Sequence, residues 1–147
     1  MQTGQTPSTG RRANSTPSNL ECHKMEGYDP STMKNELEGR TLEFAVGLVA
    51  FIGGLPRTDA ARIIGNQLLK CGTSIGANYR EANRAESKED FIHKTSVVQK
   101  EAAETDYWLE ICTRCEIGDQ ARIEALVIEA RELLAIFTTI NRKAKGR

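Results

Sequence analysis

Histidine is nearly absent from this chain, whose 147 residues contain only His23 and His93. A di-metal site in a helical bundle takes a Glu from each of two helices and a Glu-x-x-His from each of the other two. Asp90-Phe91-Ile92-His93 is a single loose approximation, so the ligand count fails and no metal or other cofactor is expected. Long apolar runs are missing too. Residues 44–55 form the longest, and Gly47, Gly53 and Gly54 interrupt it, well short of the ~20 residues that span a bilayer. The N-terminus lacks the apolar core of an export signal, so the expected compartment is the cytoplasm. An excess of either charge is also absent, with 20 Lys and Arg against 20 Asp and Glu. Bulk charge therefore draws the chain to neither nucleic acid nor an acidic membrane, and such a partner must be met by a local patch. Aromatic residues make up only 5%, which leaves an aliphatic core.

What is present is helical periodicity. Residues 68–84 read LLKCGTSIGANYREANR, polar and glycine-containing, and simple propensity would make them a loop. Yet Ala61, Ile64, Leu68, Cys71, Ile75, Asn78, Ala82 and Ala85 recur at alternating spacings of three and four through that run, as on one face of a helix. Small residues inside such a stripe imply a backbone lying close to its neighbour.

Four helices are expected. The first covers residues 41–53, with Phe44, Ala45, Leu48, Val49, Phe51 and Ile52 inward, and Gly53-Gly54-Leu55-Pro56 ends it. The second covers residues 58–86. Ser87-Lys88-Glu89-Asp90 is a capping-box pattern that opens the third, residues 88–116, with the stripe Phe91, Thr95, Val98, Ala102, Thr105, Leu109, Cys112. Gly118 stops it, and Asp119 caps the fourth, residues 120–143, with Ile123, Leu126, Ala130, Leu133, Phe137 and Ile140 inward. No β-alternating segment competes. Short connections make neighbours antiparallel, so the expected fold is an all-α, up-down-up-down four-helix bundle. The short first helix would leave part of the long central hairpin uncovered, a surface for a partner or another copy.

Residues 1–35 differ. MQTGQTPSTGRRANSTPSN has almost no large aliphatic residue and cannot offset its ordering entropy. The expected organisation is a disordered tail over 1–35 and a bundle over 36–147, with Met33 as an alternative start.

Several residues invite a chemical reading. Gly72 and Gly76 look like a phosphate cradle, but that motif needs a preceding strand and a following Lys. Both flanks here are helical, so close packing is the better account. Asn78 sits on the core stripe, where a buried amide fixes helix register. Arg80, Glu81, Glu101 and Glu104, with Lys100, form either a partly buried network across helices two and three or a solvated face. Cys112-Thr113-Arg114-Cys115 has redox or zinc spacing, yet it lies near a helix C-terminus, where the dipole opposes a thiolate, and no further zinc ligands are evident. Packed, reduced thiols fit better. Tyr107 and Trp108 read as bundle or interface anchors.

Basic residues remain. Arg57, Arg62, Lys70, Arg80 and Arg84 run along helix two, and Arg142 and Lys143 lead a basic C-terminus. Singly these are solubilising. Repeated around a ring they would form a belt that holds RNA or DNA through phosphates.

Gln67-Leu68-Leu69, residues 73–78 (TSIGAN), Glu81-Ala82, Asp90-Phe91, Lys94, Lys100-Glu101-Ala102, Glu104-Thr105 and Tyr107-Trp108-Leu109 together resemble the signature of a bacterial four-helix-bundle family. Its members are encoded in intervening sequences of large-subunit (23S) ribosomal RNA genes. Weaker similarity covers residues 33–142, and residues 1–32 have no counterpart. In the resemblance, Gly72, Ser74, Gly76, Asn78, Glu81, Glu101, Glu104 and Trp108 belong to the structural signature. It implies a bundle that assembles into a ring, a homopentamer. The family is also similar to accessory proteins of diversity-generating retroelements, which are basic rings that bind nucleic acid and a reverse transcriptase. This chain departs from them in being neutral over residues 41–147, with 15 Lys and Arg against 15 Asp and Glu.

The expected function is a non-enzymatic oligomeric scaffold for nucleic acid, a protein partner, or both. A purely structural oligomer or adaptor without nucleic acid is the alternative. No nucleophile–base pair or cofactor loop is legible.

Overall fold

The computed structural model describes residues 29–147. Four helices follow in order: α1 (Pro30–Gly53), α2 (Asp59–Ala82), α3 (Lys88–Arg114) and α4 (Gln120–Ala144). Each begins at a side-chain cap. Asp29 accepts from the Ser31 N–H at 2.9 Å, with Pro30 in the first turn. Thr58 accepts from Ala61 N–H at 3.2 Å, and Ser87 from Asp90 N–H at 3.0 Å. Asp119 accepts from Ala121 and Arg122 at 3.0 and 3.2 Å. These bonds satisfy amides that the helix leaves without intrahelical partners. In the α3 box the return bond goes one residue further back than expected, from Glu86 N–H to Asp90 at 3.3 Å. Among the described residues there is no strand.

The first helix corrects the sequence reading. It has 24 residues, as many as α2, so the central hairpin is not left bare by a short neighbour. The bundle starts at Pro30, inside what was expected to be tail. The remainder of that tail, residues 1–28, lies outside the described residues. The core stripe of α1 is Leu37, Thr41, Phe44, Leu48 and Phe51, again alternating four and three. Val49 is half exposed rather than inward.

α1 pairs with α2 and, more sparsely, with α4; α3 pairs extensively with α2 and α4. α1 and α3 are diagonal, without backbone approach. The core runs along the axis through Leu48, Leu68, Ile75, Val98, Leu109, Leu133 and Phe137, each fully buried. Burying one such side chain contributes about 1.5–3 kcal/mol. The glycines of α2 face α1: a β-carbon on Gly72 would collide with Leu48 Cδ2, and one on Gly76 would lie 3.1 Å from Thr41 Oγ1. Gly118 has φ +93°, and a β-carbon there would sit 2.7 Å from the Phe51 ring. Glycine is therefore required in the α3–α4 turn on both counts.

Candidate nucleic-acid interface

Antiparallel order sets the C-terminal ends of α2 and α4 beside the N-terminal ends of α1 and α3. Arg80 and Arg84 therefore share one end of the bundle with Arg142 and Lys143. Lys88, which opens α3, and Lys145 and Arg147, which follow Arg142, lie there too. All seven are exposed, and none forms an ion pair among the described residues. Arg80, Arg142 and Lys143 also occupy last turns, where cations offset the helix dipole. Glu81, Glu86 and Glu89 share this end and temper its charge, while Asp90 is occupied by Lys94 at 2.8 Å.

The other basic candidates are elsewhere. Arg57 and Arg62 lie at the opposite end, with Arg62 3.6 Å from Asp59. Lys70 is exposed midway along α2. The seven cations read from the sequence thus divide into four at one end, two at the other and one between.

The signature residues take different roles. Gly72 and Gly76 set the α1–α2 approach. Ser74 donates to the Lys70 carbonyl at 2.6 Å, within its own helix. Asn78 corrects the register expectation: it is half-buried and donates to the Ser74 carbonyl at 2.8 Å, also within α2. Glu104 accepts from Trp108 Nε1 at 3.3 Å, and Trp108 packs edge-on to Tyr107 with centroids 5.2 Å apart. No ion pair joins Arg80, Glu81, Lys100, Glu101 or Glu104 to one another within the chain. Burial pushes the Glu101 carboxyl up, Glu104 adds to that, and Lys70 and Lys100 pull it back. Of the two readings of these charges, the single chain shows no cross-helix network.

The ion pairs that do cross helices escaped sequence reasoning. Arg40 on α1 grips Glu129 of α4, Nε to Oε1 at 2.6 Å, and also reaches Glu132. Arg131 on α4 holds Asp106 of α3 at 2.9 Å. Arg40 preceded the expected start of the first helix, so its face was unassigned. The buried amide is Asn141, not Asn78. It is 4% exposed, and its Nδ2 donates to Ser96 Oγ at 2.9 Å and to Gln99 Oε1 at 3.0 Å. Its Oδ1 is buried without a partner among the described residues. Stripe-reading had placed Ile140 at that level.

Cys71 and Cys112 are buried free thiols, and burial pushes Cys112 up to about 11. Cys115 is exposed. Among the described residues no three His, Cys, Asp or Glu side chains converge as a metal site. No helix among them is long and apolar enough to cross a membrane. Where α1 and α4 splay, a groove of about 580 Å³ opens between Leu37, Ile136 and Ile140, with Arg40 and Lys143 at its rim.

No curated protein matches this chain. A solved structure from Bacteroides thetaiotaomicron, described as a protein with unknown function from the S23 ribosomal protein family, is 37% identical. The match covers 71% of this chain and 97% of that one, with a TM-score of 0.66. The family described as 23S rRNA-intervening sequence protein matches residues 33–139. That span contains α2 and α3 whole and most of α1 and α4, and by it the chain belongs to the family of 23S rRNA-intervening sequence proteins.

Proposed function

We propose that this protein is a non-enzymatic homo-oligomeric scaffold that holds RNA or DNA at the basic end of the bundle. The observation that carries the reading is the gathering of Arg80, Arg84, Arg142 and Lys143 at that end, exposed and without an ion pair among the described residues. Contacts of this kind go to phosphates, carry no base specificity and weaken with salt. Oligomerisation multiplies the patch without changing the neutral charge of each copy. A fourfold charge reversal (R80E, R84E, R142E, K143E) is the test, with binding to a structured RNA measured across a salt series. Wild-type binding that falls with salt and disappears in the variant supports the reading. Equal binding by the variant refutes the site.

The second reading, an adaptor that meets a protein partner and no nucleic acid, is favoured by one feature. From Phe44 to Pro56 no side chain is charged or able to hydrogen-bond, although α1 lies on the surface. Failure of wild-type protein to bind RNA at low salt would move the assignment there.

A further inference from the structure

The groove between α1 and α4 lies at the end of the bundle where the chain enters it. Its floor is Met33 and Leu37, from the first turns of α1, and Ile136 and Ile140, from the last turns of α4. Two charges flank that floor. Glu36 of α1 and Lys143 of α4 are both exposed, and neither forms an ion pair among the described residues. Arg40, also on the rim, is already held by Glu129 and Glu132. An occupant of this groove therefore needs apolar side chains for the floor and charges of both signs for the rim.

The chain has such a segment next to the groove. Residues 20–28 read LECHKMEGY and lead directly into the Asp29 cap of α1. Residues 1–19 contain no Leu, Ile, Val, Phe, Tyr or Trp, whereas these nine supply Leu20, Met25 and Tyr28. Between them stand Glu21, Lys24 and Glu26. The segment precedes the span matched by the family, which begins at residue 33.

We infer that residues 20–28 of the same chain lie in the α1–α4 groove, with Leu20 and Met25 toward its apolar floor. Lys24 supplies a cation for Glu36, and Glu21 and Glu26 supply carboxylates for Lys143. The reach is sufficient. Nine residues span at most about 30 Å when extended, and the stretch of α1 that lines the groove, residues 33–40, is about 10 Å long. Gly27, just ahead of Asp29-Pro30, supplies turn chemistry for the reversal. A segment tethered this closely meets its groove at an effective concentration on the order of millimolar, so a small apolar contact suffices to hold it. Docked there, it closes the seam between α1 and α4. The inference does not depend on the nucleic-acid reading.

The test is a thiol bridge in the full chain. Cys115, the exposed thiol, is removed by Cys115→Ser, and Cys71 and Cys112 are buried. The native Cys22 is then paired with Thr139→Cys in the groove or, as control, with Glu89→Cys, which is exposed at the same end on α3, the corner diagonal to α1. A short bismaleimide bridges thiols that stand close, peptide mass identifies the bridge, and circular dichroism checks helicity. The expected result is a bridge within one chain for Thr139→Cys, little for Glu89→Cys, and loss of the Thr139→Cys bridge when Leu20→Asp and Met25→Asp are added. Equal bridging at the two positions, no bridge at Thr139→Cys, or a bridge that survives the two aspartates overturns the contact. A bridge found only between two chains overturns its assignment to the same chain.

Discussion

Gly72 on α2 lies so close to Leu48 on α1 that a β-carbon added to the glycine would overlap Leu48 Cδ2. Leu48 is fully buried, and in a close-packed interior its side chain yields only by displacing its neighbours. Alanine gains roughly 1 kcal/mol over glycine in helix propensity, but overpacking a filled core costs about 1–3 kcal/mol. Gly72→Ala is therefore expected to lower stability in a urea titration. Gly76→Ala, whose β-carbon would only crowd Thr41 Oγ1 at 3.1 Å, is expected to cost less. Equal or greater loss at Gly76 would show that the α1–α2 approach is not governed by Gly72.

Glu101 gives a prediction opposite to the network reading. Its carboxyl is raised from the ordinary 4.5, mainly by burial. A carboxyl raised on folding binds its proton more tightly in the native state, so its contribution is favourable in acid and is lost as pH rises through the native pKa. Glu101→Gln is expected to raise the melting temperature at pH 7 and to leave it unchanged near pH 3. A fall at pH 7 would mean that Glu101 has a cationic partner in the assembled protein.

Asn141 is a second polar side chain under cost. Its Oδ1 is buried without a donor among the described residues, and an unmade hydrogen bond of this kind costs about 1–3 kcal/mol. Ser96 keeps its bond to the Ile92 carbonyl at 2.7 Å without Asn141, and the half-buried Gln99 has access to water. Asn141→Leu is expected to be neutral or stabilising by about 1 kcal/mol in denaturant. A loss of stability would show that the amide is needed to hold α3 and α4 in register.

The three thiols among the described residues divide by burial. Cys115 is exposed, while Cys71 and Cys112 are buried, with Cys112 pushed up to about 11. Only thiolate is alkylated. Iodoacetamide at neutral pH, followed by peptide mass analysis, is expected to label Cys115 in native protein and Cys71 and Cys112 only after unfolding. Native labelling of Cys112 would contradict the packed position.

Much of this fold was legible because the stripes of α2, α3 and α4 alternate three and four without interruption. The turn signals were legible as well, Gly118 and Ser87 above all. The start of α1 was not, for a local reason. Asp29-Pro30 reads as a turn, but an aspartate cap followed by proline in the first turn also opens a helix. Leu37 and Thr41 continue the α1 stripe back to that cap, yet Thr41 is polar and Leu37 stands alone among Ser, Lys, Asn and Glu. Asn78 and Asn141 misled in complementary ways. An amide at a stripe edge can turn back to its own helix, as Asn78 does, and one beside an apolar stripe position can be the buried residue instead. The basic end was legible only in part. Sequence names the cations, but antiparallel topology decides that Arg84 and Arg142 share an end while Arg57 does not.

The most direct test of the scaffold account is the RNA-binding isotherm of the wild type against the fourfold reversal of Arg80, Arg84, Arg142 and Lys143, at low and high salt. The account predicts wild-type binding that weakens steeply with salt and a variant that does not bind at either concentration. A variant that binds as well as the wild type, or a wild type that ignores RNA at low salt, would contradict it.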